Sequence, residues 1–210
     1  MQYDIVHDLD RPLCFIGNTF HNHTLYNYFK HLRPCEHLSL EQVAGKDQAW
    51  IDSRQFMGVV TSVSFKKQIA DTLTDKNIKW FSVKASNSHI GHNVSIGYNT
   101  FVNHFNVVYD DVVIGDHCTL ANHLAISHCV VIGDYCHISP FSYLCFTTLG
   151  NGVCIGIRGT FPGKPDNKLA IADWSNFMLD STVTESIAST GTYSGKRKQS
   201  NESSLELKIF

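Results

Sequence analysis

From Ile90 onward an aliphatic residue returns at every sixth position: Ile90, Ile96, Val102, Val108, Ile114, Leu120, Ile126, Ile132, Ile138 and Leu144. The residue four further on is small or of medium size, as at Val94, Thr100, Asn106, Val112, Cys118, Leu124, Val130, Cys136 and Ser142. Glycine directly follows the aliphatic position at Gly91, Gly97, Gly115 and Gly133. Neither the 3.6-residue period of a helix nor the alternation of a half-buried strand yields a period of six. A parallel β-helix does, because each hexapeptide makes one flat face and three faces close a coil of 18 residues. The aliphatic residue then points into a narrow prism, and glycine or another small residue is expected at the corners, where close approach or a positive φ is needed. Residues 18 apart stack at about 4.8 Å, the spacing of neighbouring strands. Gly97, Gly115 and Gly133 obey that register, as do Cys118, Cys136 and Cys154, which predicts an inward column of thiols. The register slips by one residue at Leu149 and Ile155, breaks at Gly163-Lys164-Pro165-Asp166-Asn167, and resumes at Ile171, Phe177 and Val183.

Residues 12–84 carry a different pattern. Pro12–Gly17 reads as a short apolar strand ending in glycine, and Asn18 or Thr19 is placed to cap a helix through Leu25, Tyr28 and Phe29. Phe56–Val60 reads as a second strand, Ser64 to about Thr74 as a helix, and Ile78–Val83 as a third strand running into the repeats. Strand and helix in alternation predict a small parallel α/β unit. The chain thus divides into a small Rossmann-like α/β domain at 1–84, a β-helix at 85–195 and a polar tail at 196–210.

Composition narrows the function classes. The chain of 210 residues is 43% hydrophobic and 17% charged, too apolar for a disordered polymer. Its formal net charge of -2 provides no basic field for nucleic acid, and no apolar run is long enough to span a membrane. The first residues lack the basic and apolar regions of an export signal. Seven cysteines with no CxxC pair are expected to be free thiols, so a cytoplasmic location is expected. Twelve histidines against 17 Lys plus Arg is the unusual feature, and it raises the question of whether any of them does chemistry.

The repeats resemble the hexapeptide-repeat acyltransferases, whose parallel β-helix is left-handed. A small α/β domain ahead of the β-helix resembles their PglD and NeuD-like sugar acetyltransferase branch. The resemblance covers about residues 12 to 198. It is most specific over Leu120-Ala-Asn-His-Leu-Ala-Ile-Ser-His-Cys-Val-Val-Ile-Gly-Asp-Tyr-Cys-His-Ile-Ser-Pro140, and Thr192-Tyr193-Ser194-Gly195-Lys196 is similar to the family's closing loop. It implies a cytoplasmic homotrimer that moves an acetyl group from acetyl-CoA to an amino or hydroxyl group of a nucleotide-linked sugar, for polysaccharide synthesis, without a metal. It further implies His128 as general base, His137, Gly156 and Ile157 beside the acyl-CoA, and Gly17, Asn18 and Thr19 at the nucleotide. Lys196, with its basic neighbours, is expected to pair with CoA phosphates.

The chemistry is consistent with a histidine. An attacking amine must be neutral, and a base titrating near neutrality within reach of its proton meets that need. The family usually carries an acid after the base, where this chain has Cys129. In an 18-residue register Asp110 stacks beneath His128 and Asp111 beneath Cys129, so either carboxylate is expected to orient the imidazole. Two other readings stand beside this one. His123 and His128 form an H-x4-H pair like that of γ-class carbonic anhydrases, though the position of a third ligand falls at Asn87, with His89, His92 and His104 out of register. A β-helix whose sites have decayed into a structural or binding role is the other.

Overall fold

The computed structural model describes residues 2–194 and the backbone of 197 and 198. Its larger part is a left-handed parallel β-helix of triangular section. The first face runs through Ser82–Ala85, Phe101–Val102, Thr119–Leu120, His137–Ile138, Cys154–Ile155, Asn176–Phe177 and Thr192–Ser194. The second holds His89–Ile90, Val107–Val108, Ala125–Ile126, Tyr143–Cys145 and Thr160–Pro162. The third holds Ser95–Ile96, Val113–Ile114, Val131–Ile132, Thr147–Leu149 and Leu169–Ile171. The aliphatic sixth residues fill the prism: Val102, Val108, Ile114, Leu120, Ile126, Ile132, Ile138 and Leu144 are all buried in one core.

The register follows the sequence, slip included. Ile132 pairs with Leu149, Ile138 with Ile155, Leu149 with Ile171 and Ile155 with Phe177. The slip also corrects the expected thiol column. Cys118 and Cys136 stack inside the prism, but the one-residue shift pairs Cys154 with His137, on the outer surface of the first face.

The corners are built differently from expectation. Positive φ falls every sixth residue on Asn93, Asn99, Phe105, Asp111, His117, His123, Cys129, Tyr135 and Phe141, none of them glycine. A side chain in this left-handed region costs of order 1–3 kcal/mol. On two edges these residues brace one another by stacking coil upon coil. Phe105, His123 and Phe141 form one ring ladder with centroids 5.0 Å apart, and His117 lies on Tyr135 at 5.0 Å along another. On the remaining edge Asn93 Nδ2 donates to Asp111 Oδ1.

The glycines after the aliphatic positions serve close approach instead. Above each one, a carboxylate or amide oxygen of the next coil accepts the backbone N–H just after the glycine. Asp110 accepts from His92, Asp116 from Tyr98, Asp134 from Asp116, Asn151 from Asp134 and Asp173 from Asn151, at 2.7–2.8 Å. A Cβ at Gly133 would stand 2.7 Å from Asn151 Oδ1 and from the Gly150 carbonyl carbon, too close for any side chain.

The N-terminal domain is a parallel three-stranded sheet in the order Cys35–Leu38, Leu13–Ile16, Gln55–Met57. Around it lie helices α1 (Phe20–Phe29), α2 (Leu40–Ala44), α3 (Gln48–Asp52) and α4 (Val63–Thr72). The strand Cys35–Leu38 and helices α2 and α3 were not apparent in the sequence pattern. The expected third strand is corrected: only Trp80 bridges to Phe56, and Ser82–Ala85 joins the first face of the β-helix. Tyr3–Val6 pairs antiparallel with Ser82–Ala85 and closes that end of the prism. Among the described residues no helix is long and apolar enough to cross a membrane.

The domain sits on the first face. Gly58 N–H donates to Asn99 Oδ1 at 2.7 Å and Thr119 Oγ1 donates to the Val60 carbonyl at 2.8 Å. Lys66 of α4 is fully buried and donates to the Cys136 carbonyl at 2.5 Å. Its burial pulls the ammonium down to about 8. His117 and His137 lie in the same seam. Burial, reinforced by the charge of Lys66, lowers them to about 4 and about 3.

Two outcomes follow from this architecture. Gly133→Ala is expected to destabilise the protein by about 1–3 kcal/mol through overpacking, whereas Gly45→Ala, with open contacts at a helix end, should stay within about 0.5 kcal/mol; urea melts of both variants compare them. His117 and His137 fold neutral and unfold to ordinary histidines, so the unfolded chain binds more protons as pH falls below about 6.5. The urea midpoint should therefore fall from pH 6.5 towards pH 4, and His137→Gln should flatten part of that fall. A midpoint constant across that range would remove this account of the seam.

Candidate functional site

His128 stands at the corner that ends the second face. By register it occupies the position of Asp110 one coil on, the place of a capping oxygen. The residue beneath it in the glycine slot is Tyr109, so a close cap is sterically barred and the side chain turns outward. The imidazole is exposed, its ring 5.1 Å from that of Tyr109 at a 54° tilt. Among the described residues its side chain makes no hydrogen bond. Asp110 Oδ1 accepts from the His92 N–H and Asp111 Oδ1 from Asn93 Nδ2, so both carboxylates face the coil beneath their own, away from His128.

The other expected site residues lie elsewhere on the perimeter. Gly156 pairs with the Phe177 carbonyl and Ile157 is 45% exposed, both at the corner between the first and second faces. His137 is on the first face beneath the N-terminal domain, 4% exposed, with Nε2 3.2 Å from Ser139 Oγ and Nδ1 without a partner. One chain therefore places His128 on one edge and Gly156 and Ile157 on another. Lys196 lies outside the described residues.

The segment Gly17–Thr19 forms a tight strand-to-helix turn. Gly17 has φ +89, which a side chain would strain. Thr19 caps α1, its Oγ1 accepting from the Asn22 N–H and donating to the Val59 carbonyl at 2.7 Å. Asn18 Oδ1 meets His23 Nε2, and buried Asn22 clamps the Ile16, Gly17 and Val59 backbones. These side chains are thus engaged in holding the turn itself.

Just beyond the turn, a cavity of about 290 Å³ opens between α1 and the β-helix. Phe20, Phe101 and Phe105 wall it, and His21, Asn103 and Asn122 supply polar atoms. Among the described residues none of its lining side chains is Lys, Arg, Asp or Glu. Burial pushes the His21 imidazole down, favouring its neutral form. His104 at its edge is held by Asn87 and the Tyr3 hydroxyl, at 2.7 and 2.9 Å. Sequence reasoning missed this site because its residues come from segments about 80 positions apart and only the fold brings them together. Such a lining, mostly apolar with a few neutral hydrogen-bonding groups, has the composition of a small-molecule site.

The pair His123 and His128 does not converge. His123 is sandwiched between Phe105 and Phe141, while His128 leans on Tyr109. Among the described residues no three His, Cys, Asp or Glu side chains cluster as metal ligands.

No protein-family model matches the chain, and no curated protein matches it. Solved structures do. The acetyltransferase domain of PglB from Neisseria gonorrhoeae FA1090 superposes with a TM-score of 0.76 at 15% identity, covering 90% of this chain and 99% of that one. WeeI from Acinetobacter baumannii AYE gives 0.76 at 18%, covering 90% and 99%. PerB from Caulobacter crescentus, in complex with CoA and GDP-perosamine, gives 0.74 at 12%, covering 90% and 97%. The chain therefore has the fold of the hexapeptide-repeat sugar acetyltransferases, a small α/β domain leading into a left-handed parallel β-helix.

Proposed function

We propose that the protein transfers an acetyl group from acetyl-CoA to an amino or hydroxyl group of a nucleotide-linked sugar, with His128 as general base. The observation that carries this reading is the exposed, unbonded imidazole of His128 at an interrupted corner of this fold. The bound CoA and GDP-perosamine of PerB support the substrate classes.

In this reading His128 removes the proton of the acceptor nitrogen or oxygen as that atom attacks the thioester carbonyl. A backbone N–H receives the charge on the tetrahedral oxygen. The carbon–sulfur bond then breaks, and the imidazolium returns its proton to the departing CoA sulfur. The neutral cavity beside His21 takes the sugar ring, with the nucleotide reaching towards Gly17, Asn18 and Thr19. Gly156 and Ile157 form the edge along which the pantetheine arm lies, where the absence of a Cβ at Gly156 permits close approach. His137 reaches that edge through Ser139, and Lys196 pairs with a CoA phosphate. Asp110 fixes the turn below His128 through the His92 N–H. Because the base and the donor edge lie on different corners of one prism, the complete site takes two chains, and a homotrimer supplies three.

The test is release of free thiol from acetyl-CoA over UDP-, GDP- and dTDP-linked amino sugars, run beside His128→Ala. Turnover by the wild type with a loss of about 10²- to 10⁴-fold in the variant is expected. Equal turnover by both would overturn the mechanism. Absence of thiol release, and of any thermal shift with CoA or nucleotide sugars, would favour a non-catalytic binding role.

A further inference from the structure

Among the described residues the one ring in contact with His128 is that of Tyr109. We infer that Tyr109 is the positioning residue for His128, a role that rests on reading His128 as the base. The corner geometry supports this assignment. Above Gly91, Gly97, Gly115, Gly133 and Gly150 the side chain is Asp or Asn and folds down onto backbone, whereas Leu179 stands above Gly156. At this corner alone among those below residue 134, the slot under a cap position holds a bulky ring, and the side chain above is an imidazole directed outward.

Among the described residues no carboxylate holds that imidazole. Asp110, the residue directly below, is committed to the His92 N–H, and Asp111 to Asn93. The residue after the base is Cys129, which itself sits at positive φ in the turn. What restricts the ring is therefore apolar contact with Tyr109. Tyr109 is 44% exposed, and among the described residues its hydroxyl makes no hydrogen bond. The ring face, not the phenol oxygen, does the positioning. A base at an exposed corner otherwise samples several rotamers, only one of which points at the acceptor proton. Holding it in that rotamer raises the fraction of encounters in attack geometry without changing how the donor binds.

Three variants separate the possibilities: Tyr109→Leu, Tyr109→Phe and His128→Ala, each checked by a thermal melt. Tyr109→Leu is expected to lower kcat about 10- to 100-fold with KM for acetyl-CoA unchanged, and Tyr109→Phe to restore it. In NMR spectra the His128 ring protons should carry a ring-current shift in the wild type and Tyr109→Phe that disappears in Tyr109→Leu. Wild-type kcat in Tyr109→Leu, with His128→Ala inactive, would overturn the assignment and leave the base reading intact. Failure of Tyr109→Phe to rescue would also overturn it, by pointing to the hydroxyl. Turnover that survives in His128→Ala would instead remove the base, and with it the task given to Tyr109. Unmoved His128 ring protons in Tyr109→Leu would refute the contact itself, whatever the activity.

Discussion

The β-helix depends on one short hydrogen bond repeated up one of its edges, from a backbone N–H to the Asp or Asn oxygen of the coil above. Face strands of two or three residues leave the turns with peptide groups that no ladder satisfies, and a buried or half-buried N–H without a partner is costly. The capping oxygen meets that need, and it does so at a distance that excludes any Cβ beneath it. Glycine and the acceptor are therefore one unit spread over two coils. Left-handed residues between them stack as rings at Phe105, His123 and Phe141 and at His117 and Tyr135, and Asn93 bonds to Asp111. The aliphatic core fills the prism, while the caps fix the phase of each coil on the last.

This coupling explains what could be read in the chain and what could not. The six-residue period gave the faces, the inward positions and the slip after Leu144, because each inward residue reports its own burial. The corners misled: glycine at Gly115 or Gly133 suggested a positive φ, whereas the φ falls two residues later on His117 and Tyr135. A glycine needed for space and one needed for conformation look alike in a sequence. The N-terminal domain yielded its first strand and helix, since Thr19 and the run Leu13–Ile16 are local signals. It hid the strand Cys35–Leu38, whose half-buried residues lack any alternation.

The candidate site was legible to the same degree. His128 could be singled out because the motif around it is contiguous. Its neighbours could be placed by register but not by direction: Asp110 does stack below it, yet its oxygen faces the coil beneath. His137 illustrates the converse, a residue in the same motif that the docked domain covers almost completely. The cavity beside His21 draws on α1, the strand Tyr3–Val6 and two coils, and no spacing rule reaches that far. The ring of Tyr109 sits in a column that holds Gly91 one coil below and Ser127 one coil above, and only the fold shows that it meets the imidazole of His128.

The strand Tyr3–Val6 has a bearing on the solubility of the whole molecule. A stack of parallel coils ends in a face of unpaired peptide groups already spaced to accept another coil, the template from which fibres grow. Here the first residues of the chain fold back across that face in the opposite direction and pair with Ser82–Ala85. An antiparallel strand offers the wrong hydrogen-bond phase to any incoming parallel coil. The first face is thereby closed at that end by four residues that do not repeat.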